Sequence, residues 1–336
     1  KIEKVEKVEE KDPDLYMKRA ESFLRRGSDY VNQALKECDK AIKFSDYDAN
    51  YIYEKFRILF YIKDYKGCLD LYKQFTIILS NRLTPEKHKI IIGYYLYCEY
   101  ECNGIEVKEM NFKQGRANWY TGSDRGKYDC FFDKDGNYNL INYRINYMSR
   151  ITSIDCPQNY MLKFAAKLIF GNRCGFVFDI NHNGDKHFEI NDDRGAYRVC
   201  EFANNDWIDN DYWHKIDSYQ KNKFNNITVI KNSHTYYFFI NRNYITEIRS
   251  DYKEPRFAFS VITEEDPPAR VKLKGLKMVI QKKKKPIKLE IEDKIILTCG
   301  KCGQNMRVRR TYRKARITCP KCNTKYTVNL DKSKYI

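Results

Sequence analysis

Apolar residues recur at helical spacing from Asp12 to about Cys102, with Pro13 near the predicted start of the first helix. Beyond Asn103 the pattern changes to short alternating segments, separated by turn signals such as Asp135-Gly136-Asn137. The pattern predicts a helical N-terminal region followed by an antiparallel β region. The fold class is therefore multidomain α + β.

The helical region contains an internal spacing of 34 residues, which separates Ala34, Cys68 and Cys102. The segments GSDYVNQALKECDKAIKF and IKDYKGCLDLYKQF align as helix-turn-helix units, and the first carries small residues at Ala34 and Ala41. Over about 90 residues this region resembles the tetratricopeptide repeat, although Asp46 to Asp48 occupy the turn where that family has proline. The resemblance implies a solenoid with a concave face. An ordinary helical bundle is the alternative.

The β region contains nine segments with the alternation of strands. Their order pairs GFVFDINHNGDKHFEINDDRGAYRV with NKFNNITVIKNSHTYYFFINRNYI and a closing KGLKMV. Over residues 112–281 this order resembles the concanavalin A-like jelly roll of laminin-G-like, bacterial lectin and glucanase modules. The resemblance implies an antiparallel sandwich. The predicted strands are NYNLINYRI, LKFAAKLIF, CGFVFDI, KHFEIND, AYRVCEF, NNITVIK, TYYFFIN, YITEIRS and VKLKGLKMVI.

Four cysteines near the C-terminus, Cys299, Cys302, Cys319 and Cys322, form two CxxC pairs. This spacing is typical of a four-thiolate zinc site, and the ITCPKC segment resembles small prokaryotic zinc ribbons. With all four ligand positions filled by sulfur, one Zn²⁺ would be structural, and so short a module would depend on it to fold. A disulfide or a redox CxxC is the alternative.

These patterns divide the chain into five segments. We predict a charged leader at 1–11, a tetratricopeptide-like helical domain at 12–108, a concanavalin A-like sandwich at 109–281, a basic linker at 282–288 and a zinc ribbon at 289–331.

The net charge of +17 is concentrated at the C-terminus. From Arg270 to Ile336 there are 21 lysines and arginines against 4 acidic residues, whereas the rest of the chain has 41 of each. Such asymmetry indicates an anionic partner, either an acidic protein face or nucleic acid, or else a solubilising surface. The predicted basic docking surface consists of Lys282, Lys283, Lys284, Lys285, Arg307, Arg309, Arg310, Arg313, Lys314 and Arg316.

The sequence has no apolar run of about 18 residues, so we expect no membrane span. The eight remaining cysteines are scattered singly, which favours a reducing compartment and a cytoplasmic location. The abundance of Lys, Asn, Tyr and Ile indicates an AT-rich, bacterial genome. The chain starts at Lys1, so sequence upstream is an open question.

Catalytic motifs are not found. There is no GxSxG, and Glu189-Ile-Asn-Asp192-Asp193 does not match the carboxylate pattern of jelly-roll glucanases. We expect His182 and His187 to flank a hairpin turn and to be exposed. The protein is therefore predicted not to be an enzyme.

Three tryptophans, Trp119, Trp207 and Trp213, fall in predicted loops beside Asp and Asn, where they could face a sugar or cap the sandwich edge. The leading functional hypothesis is a non-catalytic scaffold that mediates protein–protein contacts within a larger assembly, with the zinc ribbon as a basic docking module. Nucleic-acid tethering through the ribbon and lectin-like carbohydrate binding by the sandwich are the alternatives.

A salt series separates the first two hypotheses. Binding to a labelled oligonucleotide that weakens steeply with salt would support tethering, since released counterions drive such binding. Combined Arg309→Ser, Arg310→Ser, Arg313→Ser and Lys314→Ser changes should then abolish it. If the protein fails to bind at low salt, nucleic acid is excluded and an acidic protein partner is favoured.

Overall fold

In the first third of the chain, local capping fixes where helices begin. Side chains of Asp12, Asp48 and Asp64 accept hydrogen bonds from backbone N–H groups in the first turns, at 2.7–3.0 Å, which stabilises each helix start. In the computed structural model the helices are α1 (Pro13–Arg26), a 3₁₀ turn (Ser28–Tyr30), α2 (Val31–Phe44), α3 (Ala49–Tyr61), α4 (Tyr65–Arg82) and α5 (Pro85–Asn103).

The structure describes part of the chain. The described residues are 11–107, 121–124, 126–144, 147–150, 154–181, 184–203, 206–208, 212–250, 256–263, 268–281, 294–299, 301–302, 304–309 and 314–329. The chain forms two compact units, one comprising Glu99–Ile287 and the other comprising the segments before and after it. Most of the predicted leader and the whole predicted linker at 282–288 lie outside the described residues.

Small residues let α1 and α2 pack closely. Ala20 of α1 and Ala34 and Cys38 of α2 are completely buried against each other. Further along, the ring of Phe60 on α3 lies 4.3 Å from that of Tyr94 on α5, centre to centre. The predicted helical region is thus confirmed. Its membership of the tetratricopeptide family stays a prediction.

The second unit is an antiparallel β-sandwich. Its first sheet, sheet 1, has nine strands within the described residues, in the order β15-β14-β13-β7-β17-β4-β3-β2 with β1 also on β17. These strands are β1 (Gly104–Val107), β2 (Gly122–Asp124), β3 (Tyr128–Phe132), β4 (Tyr138–Asn142), β7 (Tyr160–Phe170), β13 (Asn225–Asn232), β14 (Thr235–Ile240), β15 (Asn243–Arg249) and β17 (Ala269–Gln281).

The second sheet, sheet 2, has the order β11-β10-β9-β8-β16-β5, with β12 on β10 and β6 on β16. The chain passes repeatedly between the two sheets, which gives the jelly-roll character that the sequence predicts. Its strands, as far as the structure describes them, are β5 (Tyr147–Arg150), β6 (Ile154–Asp155), β8 (Arg173–Asn181), β9 (Gly184–Asn191), β10 (Ala196–Ala203), β11 (Asp206–Ile208), β12 (His214–Lys215) and β16 (Arg256–Thr263).

Each of the nine predicted strand segments contains a strand of the sandwich. The sequence analysis did not predict β16, however. It lies in sheet 2 between β8 and β5. Its alternating Phe257, Phe259 and Val261 are buried between the sheets, so the signal was present in the sequence. Short edge strands such as β12 have too few residues to show a period.

Aromatic side chains fill the space between the sheets. Phe188 of β9 stacks on Phe238 of β14 at 4.4 Å between ring centres, and Phe164 packs edge-on against Phe259 at 5.0 Å. These contacts hold the two sheets together and leave the opposite face of sheet 2 to other side chains.

None of the helices in the described part of the chain is both long and apolar enough to cross a membrane.

Replacement of Phe188, which is completely buried, should destabilise the sandwich. For Phe188→Ala we expect a loss of about 3–5 kcal/mol in the free energy of unfolding, since a cavity replaces the ring. All three tryptophans lie in Glu99–Ile287, so urea unfolding followed by tryptophan fluorescence reports this unit. Phe131→Ala is the matched control, because Phe131 is 38% exposed. Equal losses in the two variants would contradict the assigned core.

Candidate functional site

The four predicted metal-site cysteines come together between two hairpins. The hairpins are β18 (Lys294–Thr298) with β19 (Asn305–Arg309), and β20 (Lys314–Thr318) with β21 (Lys325–Asn329). In each, a backbone bond closes the CxxC turn: Cys299 N–H donates to the Gln304 carbonyl and Cys319 N–H to the Thr324 carbonyl, both at 2.9 Å. The two CxxC turns therefore have the same backbone hydrogen-bonding pattern and face each other.

The sulfur positions fit a four-thiolate metal site. Sγ of Cys299 lies 3.5 Å from Sγ of Cys322, and Sγ of Cys302 lies 3.6 Å from Sγ of Cys319. All four atoms are within 4.8 Å of one another. A tetrahedron with Zn–S bonds of about 2.3 Å has edges of about 3.8 Å, whereas a disulfide needs about 2.05 Å. The group can hold a metal ion, and its geometry does not fit disulfides.

The structure places only part of the predicted basic docking surface. Arg307 and Arg309 occupy alternate positions of β19, and Lys314 and Arg316 occupy alternate positions of β20. The remaining members, Lys282, Lys283, Lys284, Lys285, Arg310 and Arg313, lie outside the described residues. The docking surface stays a prediction.

Part of the C-terminal charge belongs to the sandwich. Lys272 of β17 pairs with Asp133 at 2.8 Å, and Lys277 of the same strand pairs with Glu106 at 3.1 Å. The charge excess counted from Arg270 therefore covers one strand of sheet 1 as well as the cysteine module, and these lysines have acidic partners.

The three predicted ligand-facing tryptophans have different positions. Trp119 lies outside the described residues, and Trp207 is on β11 opposite Phe202. Trp213 comes directly before β12 and is partly exposed. Of the three, only Trp213 has side-chain surroundings that the structure describes, and it lies beside a polar cluster that sequence reasoning missed.

That cluster begins on β9, whose alternate residues lie on the face of sheet 2 turned away from sheet 1, called here the outer face. Asp185, His187, Glu189 and Asn191 are all buried there, while Phe188 points into the core. The expectation that His187 is exposed was wrong. Its ring sits at a central position of a middle strand and lies 2.5 Å from an Asp185 carboxylate oxygen. The period-two Asp-x-His-x-Glu-x-Asn pattern could have revealed this row.

Two arginines hold the Glu189 carboxylate. Nη1 of Arg173 on β8 donates to Oε2 of Glu189 at 3.2 Å, and Nε of Arg198 on β10 donates to the same oxygen at 2.9 Å. The Glu189 side chain is 1% exposed. A buried carboxylate requires such partners, because desolvation of an unpaired charge is very unfavourable.

Trp213 lies among arginines on the same face. The guanidinium of Arg198 is 4.9 Å from the centre of its ring, that of Arg194 is 5.8 Å away and that of Arg173 is 6.0 Å away. These are cation–π distances. The indole and the Glu189 carboxylate therefore share two of their cationic neighbours. We call Arg173, Glu189, Arg194, Arg198, Trp213 and Ser260 the Trp213 site.

Gly175 leaves a gap in the outer face between Glu189 and Ser260. It pairs with Glu189 on one side and with Ser260 of β16 on the other. A Cβ on Gly175 would lie 2.7 Å from the Phe188 carbonyl oxygen and 3.3 Å from Ser260 Oγ. Glu189 and Ser260, two strands apart, have Cα atoms separated by about 10 Å. The backbone of Gly175 forms the floor between them.

Two buried atoms border this gap without a partner. Oε1 of Glu189 and Oγ of Ser260 make no hydrogen bond among the described residues, and both residues are at most 1% exposed. Each such atom costs about 1–3 kcal/mol. The Trp213 site therefore has unused hydrogen-bonding capacity.

The pKa values of two groups near the site, the Cys174 thiol and the Tyr219 hydroxyl, are raised. Burial, together with smaller contributions from the carboxylates of Asp192 and Glu189, raises the pKa of Cys174 to about 12. Burial also raises the pKa of the Tyr219 hydroxyl, which donates to Asp192 at 2.5 Å. Both groups are neutral at physiological pH, so neither supplies a nucleophile there.

The carboxylates of β9 do not form a hydrolytic pair. Asp185 and Glu189 are four residues apart on one strand, which separates their Cα atoms by about 13 Å. A retaining glycosidase needs carboxyl groups about 5 Å apart. Asp193, from the string compared with glucanases, pairs with Lys221 at 2.8 Å.

Metal content tests the cysteine cluster. Cys319→Ser should lose the one equivalent of zinc that elemental analysis is expected to find in the dialysed protein, since three thiolates bind it more weakly. Cys102→Ser is the matched control, because Cys102 is an exposed cysteine of α5 outside the cluster. Amide exchange in β18–β21 should accelerate only in the first variant. Full metal retention by Cys319→Ser would contradict the site.

No protein-family model and no curated protein matches the sequence. Among solved structures, the chain is similar to the carbohydrate-binding module CBM66 from Bacillus subtilis, with 13% identity, 48% of this chain and 94% of that chain covered, and a TM-score of 0.36. It is similar to the galectin LEC-6 from Caenorhabditis elegans, with 14% identity, coverage of 39% and 90%, and a TM-score of 0.30. It is also similar to the laminarinase catalytic domain from Thermotoga maritima, with 10% identity and a TM-score of 0.38. That match covers 54% of this chain and 99% of the laminarinase domain. These scores are low, and the fold assignment rests on strand order and register.

Proposed function

We propose that the sandwich is a non-catalytic carbohydrate-binding module and that its ligand occupies the Trp213 site. The observation that carries this proposal is the position of a partly exposed indole beside a buried carboxylate held by two arginines, on the outer face of sheet 2. Lectin-like carbohydrate binding, which was an alternative hypothesis in the sequence analysis, is therefore our leading hypothesis.

The chemistry of the Trp213 site suits a polyhydroxylated ring. A sugar has an apolar C–H face that packs on an indole, and hydroxyl groups that each donate and accept hydrogen bonds. Oε1 of Glu189 is an acceptor, the guanidinium groups are donors, and Ser260 Oγ does both. A ligand that combines one apolar face with several hydroxyls satisfies this set, whereas a purely apolar ligand leaves it unpaired.

Binding requires a local opening. Glu189 and Ser260 are closed off from solvent, so a ligand reaches them only after the groups that cover them move. Arg194 is exposed and Trp213 is partly exposed, which makes them the outermost of the named side chains. A ligand hydroxyl that enters would recover part of the free energy that the two unpaired atoms cost.

Binding without hydrolysis follows from the same geometry. Glu189 accepts hydrogen bonds from two guanidinium groups through Oε2, so this carboxylate is held in a fixed structural contact. Along β9, Asp185 lies too far from Glu189 to form a hydrolytic pair with it. The proposal therefore keeps the expectation that the protein is not an enzyme.

The cysteine cluster complements this function as a structural element. We propose that it holds one Zn²⁺, whose chemistry is to bind the four thiolates and fix the two hairpins. The scaffold role and nucleic-acid tethering stay predictions, as does the cytoplasmic location.

A binding experiment with two variants tests the proposal. The full-length protein is applied to a glycan array, and the best ligand is then titrated by calorimetry. Ser260→Ala should weaken binding about fivefold, because one hydrogen bond is lost, while stability stays equal or rises, since a buried unpaired hydroxyl is removed. Trp213→Ala should weaken binding at least tenfold.

The control is Tyr212→Ala, the neighbouring aromatic, which is 87% exposed. It should leave affinity unchanged. Retention of full affinity by both Ser260→Ala and Trp213→Ala would place the ligand elsewhere. No binding to any glycan would overturn the proposed function.

A further inference from the structure

We infer that the face of sheet 1 turned away from sheet 2 binds single-stranded nucleic acid. This inference goes beyond the proposed function and does not rest on it, because the Trp213 site belongs to sheet 2. Its physical basis is a set of cations on two neighbouring strands, half of which have no acidic partner, with exposed aromatic rings beside them.

The cations lie on β7 and β17, which are neighbours in sheet 1. Phe164 and Leu168 of β7, and Val271 and Leu273 of β17, are buried in the core between the sheets. Because a strand alternates, the residues between them point to the other side. We call the cations on that side the basic face: Lys163 and Lys167 of β7, and Arg270, Lys272, Lys274 and Lys277 of β17.

A bulge at Gly275 keeps the last of these cations on the basic face. The register of β17 against β7 shifts between Lys274 and Lys277, and Gly275 has a φ of 65°, which glycine adopts without strain. Leu276 is buried in the core, so Lys277 points away from it. Strict alternation from Lys274 would instead turn Lys277 toward the core.

Like charges face each other across the two strands. Lys272 lies directly opposite Lys167, and Lys277 lies directly opposite Lys163. Such pairs are destabilising, because the side chains of opposite residues lie close together. A sheet that places lysines in these positions without a fold requirement is better explained by an anionic ligand.

Half of the cations on the basic face keep their charge unpaired. Lys167, Arg270 and Lys274 have no ion pair within the described residues. Asp129 on β3, two strands from Arg270, accepts instead from the Tyr143 hydroxyl at 2.6 Å. The ion pairs of the other three are Lys163 with Glu101, Lys272 with Asp133 and Lys277 with Glu106.

The spacing of the basic face suits an anion that repeats along a chain. Arg270, Lys272 and Lys274 occupy alternate positions of one strand, so their Cα atoms are about 6.8 Å apart. Nε and Nη2 of Arg270 donate to Oδ1 of Asn139 at 3.1 and 2.7 Å, which fixes the guanidinium. Its Nη1 is then available to a phosphate. Successive phosphates of a flexible strand can meet successive cations.

Aromatic rings beside the cations favour nucleic acid over other polyanions. Phe131 is 38% exposed, and the Arg270 guanidinium lies 5.6 Å from its ring centre. Phe170, which is 36% exposed, lies opposite Arg270 on β7. Nζ of Lys274 is 4.1 Å from the ring centre of Phe224. Unpaired bases stack on such rings, whereas a duplex keeps its bases stacked inside.

An oligonucleotide titration tests the inference. A labelled single strand is titrated with the full-length protein by fluorescence anisotropy over a salt series. Combined Lys167→Gln, Arg270→Gln and Lys274→Gln changes should weaken binding at least tenfold. They should also lower the slope of log K against log salt by about 2, since each phosphate contact to a single strand contributes about 0.7. Phe170→Ala should weaken binding at least fivefold and leave that slope unchanged.

The matched control removes the same charge elsewhere. Lys18→Gln, Lys36→Gln and Lys66→Gln together change exposed lysines of α1, α2 and α4, and they should leave the affinity within twofold. Urea unfolding followed by tryptophan fluorescence confirms that each variant is folded. Equal losses in the two triple variants would show that net charge alone drives binding, and the inference would be wrong.

Two further measurements separate the competing explanations. An abasic oligonucleotide of the same length should bind at least tenfold more weakly; equal binding would mean that the face recognises any polyanion. Binding should also survive the four serine changes in the cysteine module that the salt series uses. If those changes abolish binding, or if no binding occurs at low salt, the inference is wrong. None of these outcomes bears on carbohydrate binding at the Trp213 site.

Discussion

The Glu189 carboxylate is the constraint around which the outer face of sheet 2 is organised. A charge with 1% exposure needs compensation, and only side chains from neighbouring strands can supply it. Arg173 from β8 and Arg198 from β10 do so, which joins three adjacent strands through one oxygen atom. Trp213 then shields the guanidiniums. Loss of either arginine would leave the buried Glu189 carboxylate with one of these two guanidinium donors.

The two faces of β9 have separate roles because a strand alternates. Phe188 and Ile190 face sheet 1 and belong to the aromatic core that holds the sandwich together. His187 and Glu189 face the other way. The core side chains thus set the position of the polar ones without contacting them, and a rigid sheet keeps the Trp213 site in place.

The cysteine module follows a different principle. Between its two hairpins, the buried Cys299 and Cys319 form the centre of a small cluster, against which Cys302, Ile317 and Cys322 pack. Four thiolates brought within 4.8 Å of one another would repel one another without a cation. We therefore expect metal binding and folding to be coupled in this part of the chain, whereas apolar burial stabilises the sandwich.

Periodicity and spacing in the sequence determined the helical region, nine strand segments and the four-cysteine cluster. These are local properties: a 3.6 or 2.0 period, an aspartate at a helix start and a CxxC turn are all encoded within a few residues. The tertiary structure alone decided which strands are neighbours. Arg173, Glu189, Arg198, Trp213 and Ser260 are scattered over almost 90 residues, and only the register of β8, β9, β10 and β16 brings four of them together. The burial of His187 was likewise decided by its place in the middle of a sheet, because local sequence carries no information about which strand pairs on either side.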